Sequence, residues 1–198
     1  MSNESLKNTV FIKRCEEYDR DQLNKLITEG MARLNYRPQG KVMVKPNVVF
    51  AYNTKVFGDM AFTPPPFVGA SLVTLSKASG VKRIDMGENC AVGIPTRLCY
   101  KNAGYYDEMK LVRRQAGCPV GIFCMDEEPR DSVFIGGVVH DNLRISRKMA
   151  RADSKVYLPK LKCHCVSKMT GAVKLNIGIC SDDERSIRHD FMLNEKIV

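Results

Sequence analysis

Apolar and polar positions alternate along the chain in two rhythms, which predict helices and strands in turn. Apolar residues at every third or fourth position from Leu23 to Leu34 predict a helix that Asp21 caps and that extends to about Tyr36. Strands are predicted at Thr9–Ile12, Lys41–Lys45, Val81–Met86, Val120–Met125 and Lys155–Leu158. The second of these is an apolar run bounded by turn residues, which suits a strand covered on both faces. Further helices are predicted at Phe67–Ala78, Pro95–Asn102 and Tyr105–Gln115.

Two shorter strand candidates, Val133–Ile135 and Leu143–Ile145, lie around a Gly-Gly pair and predict an antiparallel hairpin insertion. Because strands and helices alternate elsewhere, we expect a single α/β domain over residues 1–198, with a mostly parallel central sheet flanked by helices. Residues 196–198 resemble the start of another strand, so the domain is expected to be C-terminally incomplete.

Three segments fall outside this regular pattern. Residues 50–66 form a loop long enough to suggest a functional loop or a lid. Residues 171–180 fit a helix or a loop equally well, and residues 181–185 predict a charged turn.

Polar side chains follow three of the predicted parallel strands, at the point where each strand ends. They are Lys45 and Asn47, then Asp85, Glu88 and Asn89, then Lys160, Lys162 and His164. Ligands of open parallel sheets bind beyond the carboxyl ends of the strands, so we expect these side chains to meet in one pocket. Lysines, amides, carboxylates and a histidine suit an anion-binding or catalytic pocket, although they do not specify a reaction.

The first two of these segments also have structural interpretations. Asp85, followed closely by glycine, suits contact with a ribose hydroxyl, a metal or proton transfer. The same residue types favour simple turns for backbone reasons. Likewise, Lys45-Pro46-Asn47 fits a ligand contact or an ordinary strand exit with a solvated lysine. Both interpretations stay open for both segments.

The segment after the last predicted strand carries the most chemistry. Lys160, Lys162 and His164 alternate, so in an extended backbone they share one face. Two neighbouring cations favour the neutral imidazole ring, which can act as a base or bind a metal. Cys163 and Cys165 could supply a thiolate or ligands for a soft metal. The alternative is that the histidine and both cysteines only pack in the structure.

A stretch framed by glycines follows this segment. Thr170, Lys174 and Asn176 lie close to glycines whose backbone N–H groups can cradle an anion. The stretch lacks the residue order of a Walker loop and of a dinucleotide-binding loop. Further along, His189 is a second candidate base or an ordinary surface histidine.

The net charge of the chain indicates which kinds of partner it could bind. The 198 residues include 31 lysines and arginines against 22 acidic residues, a formal net charge of +9. The basic residues are scattered, which suits a solvated surface or a preference for an anionic ligand. Nucleic acid is not expected as a partner, because the chain has no basic run with interleaved aromatic residues.

The cysteines and the N-terminus indicate a cellular compartment. The chain has eight cysteines but no Cys-x-x-Cys, so it lacks zinc-ribbon and ferredoxin patterns. The N-terminus lacks the apolar segment of a signal peptide, and no stretch approaches the ~18 apolar residues of a membrane span. We therefore expect a cytoplasmic protein with reduced thiols and no membrane partner.

Several of these motifs occur in the order of a known family. They are Lys45-Pro46-Asn47, Thr63 with Pro64 and Pro65, Pro159-Lys160-x-Lys162-x-His164, Thr170-Gly171-x-x-Lys174 with Gly178 beyond, and His189. In these residues the chain resembles the domain-of-unknown-function family numbered 362. The resemblance implies a cytosolic microbial protein, often fused to a ferredoxin-like iron–sulfur module whose cysteines are missing here. It also implies further strands beyond Val198, but it supplies no activity.

The sequence therefore predicts a basic pocket for an anionic small molecule or cofactor, and the resemblance adds redox-linked metabolism and a possible ferredoxin-like partner. The residues expected to bind the ligand are Lys45, Asn47, Asn89, Lys160, Lys162, Thr170, Lys174 and Asn176. His164 or Asp85 would move protons if catalysis occurs. The alternative is a non-catalytic metal-handling or iron–sulfur-associated module, with residues 163–165 and His189 as ligands. The sequence leaves the cofactor open and does not decide whether the protein is an enzyme.

Overall fold

The chain folds as an α/β protein, seen here in a computed structural model that describes residues 8–49, 51–58, 61–137, 140–164 and 167–186. The helices of the described ranges are α1 Arg20–Arg33, α2 Thr54–Phe57, α3 Pro65–Ser76, α4 Thr96–Asn102, α5 Tyr105–Gln115, α6 Arg147–Ala150 and α7 Asp182–Ser186. The strands are β1 Gly40–Pro46, β2 Val81–Glu88, β3 Val120–Cys124, β4 Arg130–Phe134, β5 Asn142–Ser146, β6 Ser154–Leu158, β7 Cys163–His164 and β8 Lys168–Met169. Short 3₁₀ turns occupy Ala51–Asn53, Met125–Glu127 and Lys174–Ile179.

The central sheet has four parallel strands in the order β3–β2–β1–β6, which confirms the predicted architecture. In the middle of the sheet, Val44 of β1 lies opposite Met86 of β2 on one side and Val156 of β6 on the other. The chain leaves β1 toward β2 and β3, and it later adds β6 on the opposite side of β1. The carboxyl ends of β1 and β6 therefore form the switch point at which open α/β sheets bind ligands.

Both faces of β1 are covered, which explains its continuous apolar run. Val42 and Val44 lie in the main hydrophobic cluster, which includes buried residues of α3, α4 and α5. Met43 points to the other face, where it forms a smaller cluster with Met125 and Met149. Alternate residues of a strand face opposite sides of the sheet, so a strand buried on both sides must be apolar throughout.

The predicted antiparallel hairpin is confirmed as β4 and β5, with Ser132 opposite Arg144. Asp131 on β4 accepts hydrogen bonds from Arg147 Nε at 2.9 Å and from Arg151 Nε at 2.7 Å. These two bonds hold the hairpin against α6 and the loop that leads into β6.

The N-terminal prediction is wrong in two details. Residues 9–12 form no strand, and Val10 and Ile12 are 78% and 85% exposed. An apolar run becomes a strand only where a neighbouring strand offers hydrogen-bond partners, and no strand of the described ranges pairs with this run. Helix α1 is capped by Asp19, whose side chain accepts from Gln22 N at 2.8 Å, and not by Asp21.

The three segments without a regular predicted structure contain short helices and 3₁₀ turns. Residues 50–66 include a 3₁₀ turn and the short helix α2, and the predicted charged turn at 181–185 overlaps the short helix α7. The ambiguous stretch 171–180 contains the 3₁₀ turn Lys174–Ile179. Residues 196–198 lie outside the described ranges. No helix in the described ranges has the length and apolarity needed to cross a membrane.

Candidate functional site

A cavity of about 380 Å³ opens at the carboxyl ends of β1 and β2. Seven of the predicted ligand-binding and catalytic residues line it, namely Lys45, Asn47, Asn89, Lys162, His164, Thr170 and Lys174. They come from the ends of two strands, the β7 hairpin and the 3₁₀ turn before α7. Glu88, which was expected in the pocket but was given no ligand-binding or catalytic role, also lines the cavity, and so does Arg185, which was not predicted.

An ion pair between Lys45 and Glu88 forms the floor of the cavity. Each side chain is only 1% exposed, and Lys45 Nζ donates a hydrogen bond to Glu88 Oε1. The same carboxylate oxygen accepts from Asn89 N at 2.9 Å. The second oxygen, Oε2, is buried and has no hydrogen-bond partner within the described residues. One oxygen of this carboxylate therefore keeps an unused acceptor, which a proton can occupy.

Burial shifts the proton affinities of both members of this pair. Loss of solvation lowers the pKa of Lys45, and the attraction of Glu88 only partly opposes it. The same loss of solvation raises the pKa of Glu88. Both shifts favour the uncharged forms, so the pair is poised to exchange a proton between amine and acid.

Gly178 closes the side of the cavity that lies against the ion pair. A Cβ atom at this position would lie 2.5 Å from Glu88 Oε1, 2.8 Å from Lys45 Nζ and 3.1 Å from the Asn89 carbonyl oxygen. Only glycine lets the 3₁₀ turn approach the pair this closely.

Asn89 and Arg185 hold α7 beside the cavity. The buried Asn89 Nδ2 donates to the Cys180 carbonyl at 3.2 Å and to Asp182 Oδ1 at 3.1 Å. Arg185 donates to the Cys90 carbonyl through Nη2, and its Nη1 lies 3.3 Å from Asp182 Oδ1. Its Nε, also buried, has no hydrogen-bond partner in the described part of the chain. A buried guanidinium with a remaining donor suits a site that receives a negative charge.

Thr63 and Asn47 fix the exit of β1. The Thr63 hydroxyl donates to the Leu158 carbonyl at 2.6 Å and accepts from Asn47 N at 3.0 Å, so it joins the ends of β1 and β6. The Asn47 side-chain oxygen accepts from Val49 N at 3.3 Å and shapes the turn that follows.

Thr170 holds the loop that carries Lys162. Its hydroxyl lies 2.7 Å from the Lys160 carbonyl and 3.0 Å from the Lys162 carbonyl, and it accepts from Lys162 N at 3.0 Å. The hydroxyl is engaged with the backbone, so its role in this geometry is to position the lysine.

His164 lies in the small β7–β8 hairpin, opposite Lys168. Its Nδ1 accepts a hydrogen bond from Ser167 N at 3.2 Å. An accepting Nδ1 corresponds to the neutral ring with its hydrogen on Nε2. The adjacent Cys163 is an exposed free thiol, and Cys165 lies outside the described residues.

The family is decided by comparison of the sequence with family profiles. The profile described as "Domain of unknown function (DUF362)" matches residues 42–198. The chain belongs to the DUF362 family. A search of curated proteins finds no match to the chain.

Three predicted residues of this DUF362 protein do not line the cavity. Asp85 lies inside β2, because the strand continues to Glu88, and it makes two 2.8 Å hydrogen bonds to Arg83. Lys160 and Asn176 are half-buried but are not part of the cavity lining. Asp85 therefore lies inside the strand, before the carboxyl end at which the cavity opens.

The signals in the sequence were weak for the role of Glu88 and for the presence of Arg185 in the cavity. Glu88 follows Gly87, which suggested a turn, whereas the aromatic ring of Phe123 lies 2.5 Å from where a Gly87 Cβ would stand. Gly87 is thus a packing glycine within a strand, and it brings Glu88 to the strand end. Arg185 follows three acidic residues and gave no sign of burial. The apolar side chains of the lining are Val49, Val92, Leu175 and Ile177.

A metal centre finds no support in the described part of this DUF362 chain. No group of three or more His, Cys, Asp or Glu side chains in those ranges is arranged to hold a metal ion. His189, one of the predicted metal ligands and a candidate base, lies outside the described residues, as does Cys165.

A larger depression of about 670 Å³ lies between α1 and α3, away from the strand ends. Its charged lining consists of Lys25, Glu29 and Lys77, and Glu29 is bound to Arg33 at 2.8 Å. The depression lies away from the strand ends and contains none of the predicted site residues, so the smaller cavity is the stronger candidate for function.

Proposed function

We propose that the strand-end cavity binds an anionic small molecule or cofactor. The observation that carries this proposal is the convergence of Lys162, Lys174 and Arg185, from three separate segments, on one cavity. Glu88 is the one acidic side chain among the described residues of the lining, and it is already paired with Lys45. The remaining lining is positively charged, and such a concave site attracts anions.

The lining also indicates the kind of anion. Val92, Leu175 and Ile177 give part of the cavity an apolar wall. A small inorganic ion would leave this wall in contact with water, whereas an organic anion covers it. The ligand of this proposal is therefore an organic molecule with a phosphate or carboxylate group.

His164 is the group in this cavity best suited to move a proton. Its Nδ1 accepts from Ser167 N, which fixes the orientation of the ring in the cavity lining. Imidazole exchanges protons near neutral pH, which suits general acid–base catalysis on a bound anion.

The cellular setting in this proposal is the cytoplasm. All seven cysteines in the described ranges are free thiols, as expected in a reducing compartment. Redox-linked metabolism and a ferredoxin-like partner follow from the family resemblance.

Thermal unfolding with low concentrations of pyrophosphate or citrate tests the proposal. A ligand that binds only the folded state raises the free energy of unfolding, by ~2.7 kcal/mol when its concentration is 100 times its dissociation constant. The midpoint temperature of unfolding rises with it. Lys162→Gln and Lys174→Gln should each reduce the stabilisation. Lys82→Gln is the matched control, because Lys82 is exposed near the amino end of β2.

The control matters because kosmotropic anions stabilise many proteins by exclusion from their surfaces. Stabilisation that is equal in the wild type, both cavity variants and the control variant would contradict the proposal. A response lost in the cavity variants and kept in Lys82→Gln would support it.

A further inference from the structure

We propose that Lys45 forms an imine with a carbonyl compound that carries a carboxylate or phosphate group. This inference rests on the proposed anion-binding function and names its substrate class. It also explains why Lys45 and Glu88 form a buried ion pair at the cavity floor. Anion binding alone requires neither a buried carboxylate nor an amine paired with that carboxylate.

Lys45 meets the structural requirements of an imine-forming lysine. Its amine lies in the cavity lining and is held in one position by a hydrogen bond to Glu88 Oε1. Gly178 packs directly against this buried amine, where a Cβ atom would lie 2.8 Å from Lys45 Nζ. A lysine desolvated in this way keeps more of its amine unprotonated near neutral pH, and only the unprotonated amine is a nucleophile.

The groups around Lys45 act on its charge in opposite directions. Burial and Arg185 lower its pKa, while Glu88 and the Cys90 thiol raise it, and the net shift is downward. Cys180 also lies near the amine, and burial keeps its thiol neutral by raising its pKa to about 11. Glu88 is thus the main group that can take a proton from the lysine.

Glu88 can also carry the protons of the reaction. Oε1 accepts from Lys45 and Asn89, whereas the buried Oε2 has no partner among the described residues. A carboxyl group with one oxygen bound and one without a partner can receive a proton from the amine and pass it on to an atom in contact with it.

The cations of the cavity would hold the rest of the substrate. Lys162 and Lys174 line the same cavity as the amine, and lysine ammonium groups bind phosphate or carboxylate as point charges. Leu175 and Ile177 offer an apolar wall to the carbon skeleton. An aldehyde or ketone with an anionic group one or a few carbons away matches this arrangement.

The step balances without any other reactant. The Lys45 ammonium gives a proton to Glu88, and the free amine attacks the carbonyl carbon, whose π electrons move to oxygen. Glu88 returns the proton to that oxygen, and a second proton passes from nitrogen through Glu88 to the same oxygen. Water leaves, the nitrogen lone pair forms the C=N bond, and nothing is oxidised or reduced.

Trapping with cyanoborohydride tests this step in the wild-type protein. Glyoxylate and acetaldehyde form a matched pair, because a carboxylate in one replaces a methyl group in the other. Peptide mass mapping at neutral pH should find the glyoxylate adduct forming severalfold faster on Lys45 than on the exposed Lys110, because burial lowers the pKa of Lys45 and leaves more of its amine unprotonated. Acetaldehyde should label Lys45 about tenfold more slowly than glyoxylate does.

Three outcomes would contradict either the imine at Lys45 or the binding of anions in the cavity. No adduct on Lys45, with pyrophosphate still stabilising the protein, overturns the imine and leaves anion binding intact. Faster labelling of Lys162 or Lys174 than of Lys45 also overturns the imine. Equal labelling of Lys45 by both aldehydes, with no protection by pyrophosphate, overturns the anionic anchor and with it the proposed function.

A second variant separates a chemical role of Glu88 from a structural one. Glu88→Gln keeps the size of the side chain but removes the carboxylate that favours the ammonium form of Lys45. The pH midpoint of trapping at Lys45 should therefore move downward in a variant whose circular dichroism matches the wild type. An unchanged midpoint in such a variant would contradict the role assigned to Glu88.

Discussion

At the scale of single residues, the molecule depends on the buried pair Lys45–Glu88. Burying two charges costs free energy, and a single well-placed hydrogen bond only partly offsets that cost. The pKa shifts of the pair reflect this cost, because burial lowers the pKa of Lys45 and raises that of Glu88, which disfavours the charged form of each group. A pair retained under these conditions suits chemistry better than stability.

Lys45→Met should destabilise the protein by ~3–5 kcal/mol at pH 7, because it leaves the Glu88 carboxylate buried without its cation. The raised pKa of Glu88 gives the loss its pH dependence. A raised acid is most stable when protonated, so the loss should shrink as the pH falls from 7 toward 5. The double variant with Glu88→Gln should recover much of the stability at pH 7.

Urea unfolding of the two variants and the wild type measures these differences. A destabilisation by Lys45→Met that is independent of pH, or that the second substitution makes worse, would show that the charge of Glu88 is not its cause.

Gly178→Ala tests the close approach of the 3₁₀ turn to the pair. The added methyl group would overlap Glu88 Oε1 and Lys45 Nζ, so we expect a loss of ~1–3 kcal/mol in urea unfolding. Gly171→Ala is the control, since Gly171 also lines the cavity but its Cβ would meet nothing within 4 Å. Equal effects of the two alanines would mean that the packing at Gly178 is loose.

At the scale of elements, the site is an assembly of strand ends held together by side chains of the connections. Thr63 joins β1 to β6, and Asn89 joins β2 to α7. The rule that ligands bind at the carboxyl ends of parallel strands predicted that Lys45, Lys162 and His164 would line one cavity.

The sequence could not predict the contacts that depend on distant partners. The run at residues 9–12 has strand composition but no neighbour, and Gly87 resembles a turn residue until Phe123 is placed over it. Arg185 is buried only because the Cys90 carbonyl, far away in the chain, receives its guanidinium. Local patterns contain none of this information.

Asn89→Ala should loosen α7 without unfolding the sheet. The substitution removes both hydrogen bonds that Asn89 Nδ2 makes to the Cys180 and Asp182 region. Amide hydrogen exchange at residues 181–185 should become about tenfold faster, the equivalent of one lost buried hydrogen bond. Asn102→Ala is the control, since Asn102 also donates to a carbonyl, that of Tyr52, but at an exposed position. Unchanged exchange in Asn89→Ala would show that other contacts hold the helix.

At the scale of the whole molecule, one parallel sheet separates a large hydrophobic cluster from a small methionine cluster, and the cavity opens at one end of that sheet. The buried thiols belong to the same packed interior. Burial raises the pKa of Cys180 to about 11 and that of Cys124 to about 12.

Because burial raises the pKa of these thiols, we expect the protein to lose stability at alkaline pH. Cys180 is neutral in the folded protein up to about pH 11, whereas the pKa of an unfolded thiol is 9.0. Its contribution is therefore complete below pH 9 and is lost as the pH rises to 11, at ~1.4 kcal/mol per unit. Cys180→Ser should flatten the decline of the unfolding free energy between pH 9 and 11, and an unchanged decline would contradict the assignment.

The most direct test of the proposal that the cavity binds an anion is a nuclear magnetic resonance titration of the ¹⁵N-labelled protein with pyrophosphate. The account predicts saturable shifts of backbone amides concentrated at the lining of the cavity, at Asn89, Gly171 and Gly178, with a single dissociation constant. Shifts concentrated between α1 and α3, near Lys25 and Lys77, or spread without saturation over surface lysines, would contradict it.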